Sequence, residues 1–187
     1  MGDGDGAAAR ELERLFNRVF FDRWKTRLLG GAEEPLYLPA GDDCDHHRVI
    51  YREDYFASAM HEVAHWCIAG ERRRQLVDFG YWYHPDGRSP EQQQAFEQVE
   101  VKPQALEWMF MVAAGRRFRL SADNLSAEEP VCRGPSRAFA ERVTAQARQW
   151  SRKDGMPSRG EQFVLALADF YGAPDPFDAT HYQDMPL

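Results

Sequence analysis

The chain has 187 residues, with 23 Lys and Arg against 30 Asp and Glu and a formal net charge of −7. That acidic balance excludes the basic excess of a nucleic-acid-binding footprint, and a composition 43% hydrophobic and 13% aromatic excludes a disordered chain. The longest apolar run, Trp108 to Ala114, is far short of a membrane span, and three cysteines without paired spacing fit reduced thiols.

An acidic, Gly-rich start lacks the basic region of a signal peptide, so a cytoplasmic protein without membrane association is expected. The expected organisation is a flexible lead-in over 1–8, one domain over 9–172 and a Pro-rich tail over 173–187. Leu12, Leu15, Phe16, Val19, Phe20 and Trp24 follow a helical period, which predicts a helix from Ala9 to Leu29 stopped by Gly30-Gly31. Leu36 to Leu38 and Arg48 to Tyr51 read as short strands, with a polar loop from Gly41 to His47 between them. Asp54 is the expected N-cap of a helix from Tyr55 to about Ala69. Leu76 to Tyr83, rich in aromatic residues, reads as a strand closed by the turn His84-Pro85-Asp86-Gly87. Ser89-Pro90-Glu91-Gln92 carries a capping box, predicting a helix from there towards Ala114 with a kink near Val99 imposed by Pro103. A last strand is expected at Phe118 to Leu120, then helices from Ser136 to about Lys153 and from Ser158 to about Tyr171. This order gives an α/β class of the α+β type: a small mixed sheet flanked by helices in a single domain.

His61-Glu62-Val63-Ala64-His65 places an H-E-x-x-H sequence inside the second helix. At 3.6 residues per turn His61 and His65 share one face, where two imidazoles can hold one metal ion. Phe56, Ala59, Met60, Val63 and Cys67 mark the opposite, core-facing side. Cys67 faces away from the histidines and Cys132 is remote, so a closed structural zinc site is not expected. The third ligand is then a carboxylate, Glu97 or Glu100. With Phe96 and Val99 as the buried face, Glu100 lies at its boundary, about 70° from its centre, and Glu97 about 130° away on the solvated side. Glu100 is the expected ligand. Two histidines and a carboxylate with open positions serve either zinc hydrolysis, with Glu62 as base, or dioxygen activation on iron(II). Spacing alone does not choose between them and leans towards zinc. The Asp42-Asp43-Cys44-Asp45-His46-His47 stretch also holds ligand types but reads as an exposed acidic loop.

Three blocks, His-Glu-Val-Ala-His-Trp-Cys-Ile-Ala-Gly (61–70), Leu-Val-Asp-Phe-Gly-Tyr-Trp-Tyr (76–83) and Val-Glu-Val-Lys-Pro-Gln-Ala-Leu (99–106), resemble the elongation factor P hydroxylase family. Glu-Pro-Leu-Tyr-Leu-Pro-Ala (34–40) and Ser-Ala-Asp-Asn-Leu (121–125) look similar as well, so the likeness spans roughly residues 10 to 171. The resemblance implies hydroxylation of the β-lysylated lysine of translation elongation factor P, with a fold similar to small metal-dependent bacterial ribonucleases. It implies a two-histidine, one-carboxylate centre that carries onto His61, His65 and Glu100. On that basis the expected cofactors are Fe(II), with zinc or another divalent metal able to take its place, and dioxygen. The rival is a zinc-dependent hydrolase, metallopeptidase or ribonuclease, on the same residues. Glu62 is the catalytic candidate in both: a base in the hydrolase, and an orienting group or a partner for substrate charge in the hydroxylase.

A β-lysylated lysine is long, aliphatic and carries ammonium charge, so its binding surface should combine aromatic rings with carboxylates. Strand alternation over 76–83 places Asp78 and Trp82 on one face and Tyr81 and Tyr83 on the other. The expected substrate-binding residues are Asp78, Trp82 and, after the later strand, Asp123.

Overall fold

A computed structural model describes residues 3–80, 86–122, 124–126, 134–183 and 185. Among them are five α-helices and one small three-stranded mixed sheet, the expected α+β make-up. None of these helices is long and apolar enough to cross a membrane. The chain divides into two compact units, Met1–Tyr81 with Pro157–Leu167, and Trp82–Met156 with Ala168–Leu187.

In the first unit α1 (Asp3–Trp24) buries Leu12, Leu15, Phe16 and Phe20 along one face, as their period predicts. The helix ends at Trp24, well short of the glycines. Lys25 takes a left-handed φ of 45°, and Thr26–Ala32 become strand β1. Residues 26–29 are acceptable in a helix, but backbone pairing with His47–Ile50 outweighs that weak preference. Strand β3 (His47–Arg52) is central, parallel to β1 and antiparallel to β2 (Leu36–Leu38). Gly30 lies against β3 so closely that a Cβ there would stand 2.7 Å from the Tyr51 ring and 2.9 Å from the Glu53 carbonyl. Glu13 joins the same contact, its carboxylate accepting from the Gly30 N–H at 2.8 Å and the Tyr51 hydroxyl at 3.0 Å.

Helix α2 (Phe56–Ile68) buries Phe56, Ala59, Met60, Val63 and Cys67 as expected, and Ala64 and Trp66 besides. Its N-cap is Tyr55, without a side-chain bond; Asp54 instead meets Arg10 at 3.4 Å. Trp66 completes an aromatic cluster with Phe16, Phe20 and Phe163 at centroid separations of 4.8–5.8 Å. Phe163 belongs to α5 (Ser158–Tyr171), whose residues up to Leu167 pack in this unit.

Residues 76–80 are not a strand. They form a tight turn in which Asp78 and Phe79 have φ of 48° and 58°. Phe79 stacks on Tyr37 at 4.1 Å, and the Asp78 carboxylate accepts the Tyr37 N–H at 2.8 Å. One side chain thus takes the outward donor of β2 that a paired strand would have taken.

In the second unit α3 (Pro90–Ala113) opens on the expected capping box: Ser89 accepts from the Gln92 N–H, and Gln92 accepts from the Ser89 N–H. It continues through Pro103. A stripe of buried polar residues, Gln93, Glu97, Glu100, Gln104 and Glu107, recurs at spacings of four and three; it stands alone over the first three turns and beside buried Leu106, Met109 and Phe110 further on. Gln104 takes both the N–H and the carbonyl of Ser121, while Gln93 donates to the Ala122 carbonyl and accepts from Arg88. These side chains bind the 116–122 segment in place of the expected strand at Phe118 to Leu120, and Phe118 stacks on Trp108. Helix α4 (Arg137–Ser151) is capped by Ser136, whose Oγ accepts from the Phe139 N–H at 3.1 Å. Further on, Tyr182 is buried edge-on against Trp108, and Arg148 donates to its carbonyl at 2.7 Å.

Candidate metal centre

The histidine face of α2 forms as its spacing requires. His61 and His65, each partly exposed, bring their Nε2 atoms to 3.0 Å, with ring centroids 4.7 Å apart at 74°. Two nitrogen ligands bonded at about 2.0–2.1 Å to one ion, in neighbouring positions, stand about 3 Å apart, so the pair fits a shared metal. Within the helix, Glu62 is half-buried and about 100° round from His61.

Glu100 lies in the second unit, on the buried polar stripe of α3, and is 1% exposed. A carboxylate so removed from water is costly unless a cation or donors meet it, which suits a ligand. Glu97, one turn earlier, is not on a solvated side. It is buried, accepts the Ser136 N–H at 2.8 Å and hydroxyl at 2.6 Å, and stands 3.7 Å from Arg142. The expectation failed because its reference face was wrong: Val99 is 41% exposed. Over residues 90–102 the buried face is the glutamine and glutamate stripe, and its spacing was the available signal.

Cys44, Asp45 and His46 also offer three ligand atoms within 4.8 Å of one another. Asp45 accepts from or pairs with His46 Nδ1 at 2.7 Å, but the Cys44 sulfur stands at similar distances, 3.4 and 3.7 Å, from both ring nitrogens. It therefore does not lie along either nitrogen's lone-pair direction. His47 has a packing role: its ring stacks on Tyr37, and Nδ1 accepts the Ala40 N–H at 3.1 Å.

Of the expected substrate residues, Asp78 is exposed, held in the turn described above. Trp82 and Asp123 lie outside the described residues, as do Tyr81 and Tyr83. The alternation that was to sort Asp78 with Trp82 requires a strand, and residues 76–80 do not form one.

Sheet, helices and histidine pair together define an α+β protein with a candidate metal centre on an H-E-x-x-H helix. The family model described as elongation factor P hydroxylase matches residues 15–182. The elongation factor P lysine hydroxylase of Haemophilus influenzae is 44% identical over 168 residues, covering 90% of this chain and 92% of the relative. The chain belongs to the elongation factor P hydroxylase family. The match runs past residue 171 and takes in the buried Tyr182.

Proposed function

We propose that this protein hydroxylates the β-lysylated lysine side chain of translation elongation factor P in the cytoplasm, with His61, His65 and Glu100 as the ligands of one iron(II) ion. The observation that carries the reading is the 3.0 Å approach of the two Nε2 atoms on an H-E-x-x-H helix, in a chain of this family. Glu100 is supported as third ligand by its carboxylate chemistry and its burial. Iron(II) held there would supply the dioxygen activation that insertion of a hydroxyl into an unactivated C–H bond needs.

The chain's own residues have the remaining tasks. His61 and His65 must present bare Nε2 atoms, which leaves the ring proton of each neutral imidazole on Nδ1. Glu62 is assigned to orienting a neighbouring group or pairing with the ammonium of the substrate, since no water has to be deprotonated. Asp78, Trp82 and Asp123 are assigned to the substrate side chain, two carboxylates and an indole for a cationic aliphatic arm. For Asp78 one carboxylate oxygen is engaged by Tyr37, so its other oxygen would meet the cation.

The H-E-x-x-H spacing itself favours a second reading, a zinc hydrolase with Glu62 as general base. Metal analysis of protein purified without air separates the two. Iron bound one to one, lost in His61→Ala, supports the hydroxylase; zinc bound in its place, with iron rejected, supports the hydrolase.

A further inference from the structure

Helix α2 ends without the backbone device that closes many helices. Ala69 follows its last residue at φ −57° and ψ 121°, and neither Ala69 nor Gly70 takes the left-handed conformation that folds a chain back onto orphan carbonyls. Two arginine side chains, one from far along the chain and one five residues on, take those carbonyls instead. Arg159, in the first turn of α5, directs Nη2 to the carbonyl oxygens of Trp66 at 2.8 Å, Cys67 at 3.1 Å and Ala69 at 2.6 Å. Arg74 donates Nη1 to the same Ala69 oxygen at 2.7 Å.

Arg159 is 7% exposed, its guanidinium carbon 4.8 Å from the Trp24 ring centroid and 4.6 Å from that of Trp66. Arg74 is 5.0 Å from the same Trp24 ring. Among the described residues neither guanidinium meets a carboxylate. Their compensation is the negative end of the α2 dipole and the faces of two indoles. Burial, with the Arg74 charge adding to it, brings the Arg159 guanidinium down to about 10. Two cations are thus kept together at one helix end, with Arg159 held there against the cost of its burial.

His65 stands in that last turn, and its own carbonyl accepts the Ala69 N–H at 2.9 Å. If residues 66–69 unwound, the peptide carrying His65 would lose its anchor. We propose that Arg159, with Arg74 assisting, is a positioning residue for His65, clamping the end of α2 so that the two imidazoles keep their approach. The inference rests on the reading of His61 and His65 as metal ligands. It acts through the helix and places no arginine on the metal.

The test uses the full-length protein freed of metal, in wild-type form and as Arg159→Lys, Arg74→Gln and Leu167→Ala. Leu167 is a buried residue eight positions further along α5, so its truncation lowers stability without touching the clamp. Amide hydrogen exchange is followed at residues 66–69, and cobalt(II) affinity is read by visible absorption. Arg159→Lys keeps the charge but loses the planar guanidinium that lies against the Trp24 and Trp66 rings and carries Nη2 to the three carbonyls; it should exchange faster at 66–69 and bind cobalt(II) about 10-fold or more weakly. Arg74→Gln should shift both in the same direction by less, and it serves alone if Arg159→Lys does not fold. Leu167→Ala should melt earlier yet keep its cobalt(II) affinity. Wild-type exchange and affinity in the arginine variants would overturn the proposal, as would an equal loss of affinity in Leu167→Ala. A wild-type protein that binds no cobalt(II) sinks the ligand reading and the positioning role with it, while exchange at 66–69 still reports whether the clamp holds the helix.

Discussion

The Glu97 carboxylate accepts both the backbone N–H and the hydroxyl of Ser136, at 2.8 and 2.6 Å, and so ties the N-cap of α4 to the middle of α3. Because that hydroxyl in turn accepts the Phe139 N–H, one carboxylate organises the whole start of α4. Glu97 and Glu100 are one turn apart on the same stripe, yet the proposed function gives them different work.

Their alanine variants should therefore separate. Glu97→Ala strands the Ser136 donors and should lower unfolding free energy by about 1.5–3 kcal/mol in urea titration, with metal binding kept. Glu100→Ala should lose the metal while the fold survives. Metal retained in Glu100→Ala and lost in Glu97→Ala would move the third ligand by one turn.

Glu62→Gln should keep the metal and lose only part of the hydroxylation rate. Steady-state turnover beside metal analysis checks this. Complete loss with metal and substrate binding intact would mark Glu62 as an acid–base group and favour hydrolytic chemistry.

His47 gives a pH dependence of stability. Burial first, then the Arg74 and His46 charges, hold its imidazole below the ordinary 6.5. Its Nδ1 accepts the Ala40 N–H, so the folded protein needs the neutral ring. The unfolded chain binds the proton first. The contribution is therefore present in full above 6.5 and is lost as pH falls from there through the lowered folded-state value. Melting temperature should fall over that window in wild type and fall less in His47→Asn. Equal slopes in the two proteins would remove His47 from the account.

Gly30→Ala should be destabilised by about 1–3 kcal/mol, because its Cβ would overlap the Tyr51 ring and the rigid Glu53 carbonyl. Chemical denaturation reads this directly. A variant as stable as wild type would mean that β1 and β3 can separate at Gly30 without loss.

The parts of the molecule legible in the sequence are those set by local rules. The Ser89/Gln92 capping box, the core face of α2 and the two-histidine face opposite it depend only on helical geometry and neighbouring side chains. What failed depended on partners far along the chain. Residues 26–29 became a strand through pairing with β3, and 76–80 became a turn because Asp78 and Phe79 engage Tyr37. Over the first three turns of α3 the usual sign of amphipathicity is reversed, and along its polar stripe Gln93, Glu97 and Gln104 are buried because loop carbonyls, an amide and a helix cap meet them. A reading that assigns apolar residues to the interior places Glu97 in water. The Arg159 clamp joins residues about 90 positions apart and has no local signature.

The central claim is that the His61–His65 face, with Glu100, supports hydroxylation of a protein lysine. It is tested most directly by mass spectrometry of β-lysylated elongation factor P, incubated in air with ferrous iron, a reductant and either wild-type protein or His65→Ala. The account predicts a mass gain of one oxygen atom on the modified lysine with wild type and none with His65→Ala. An unmodified substrate with iron-loaded wild-type protein, or the same gain with His65→Ala, would contradict it.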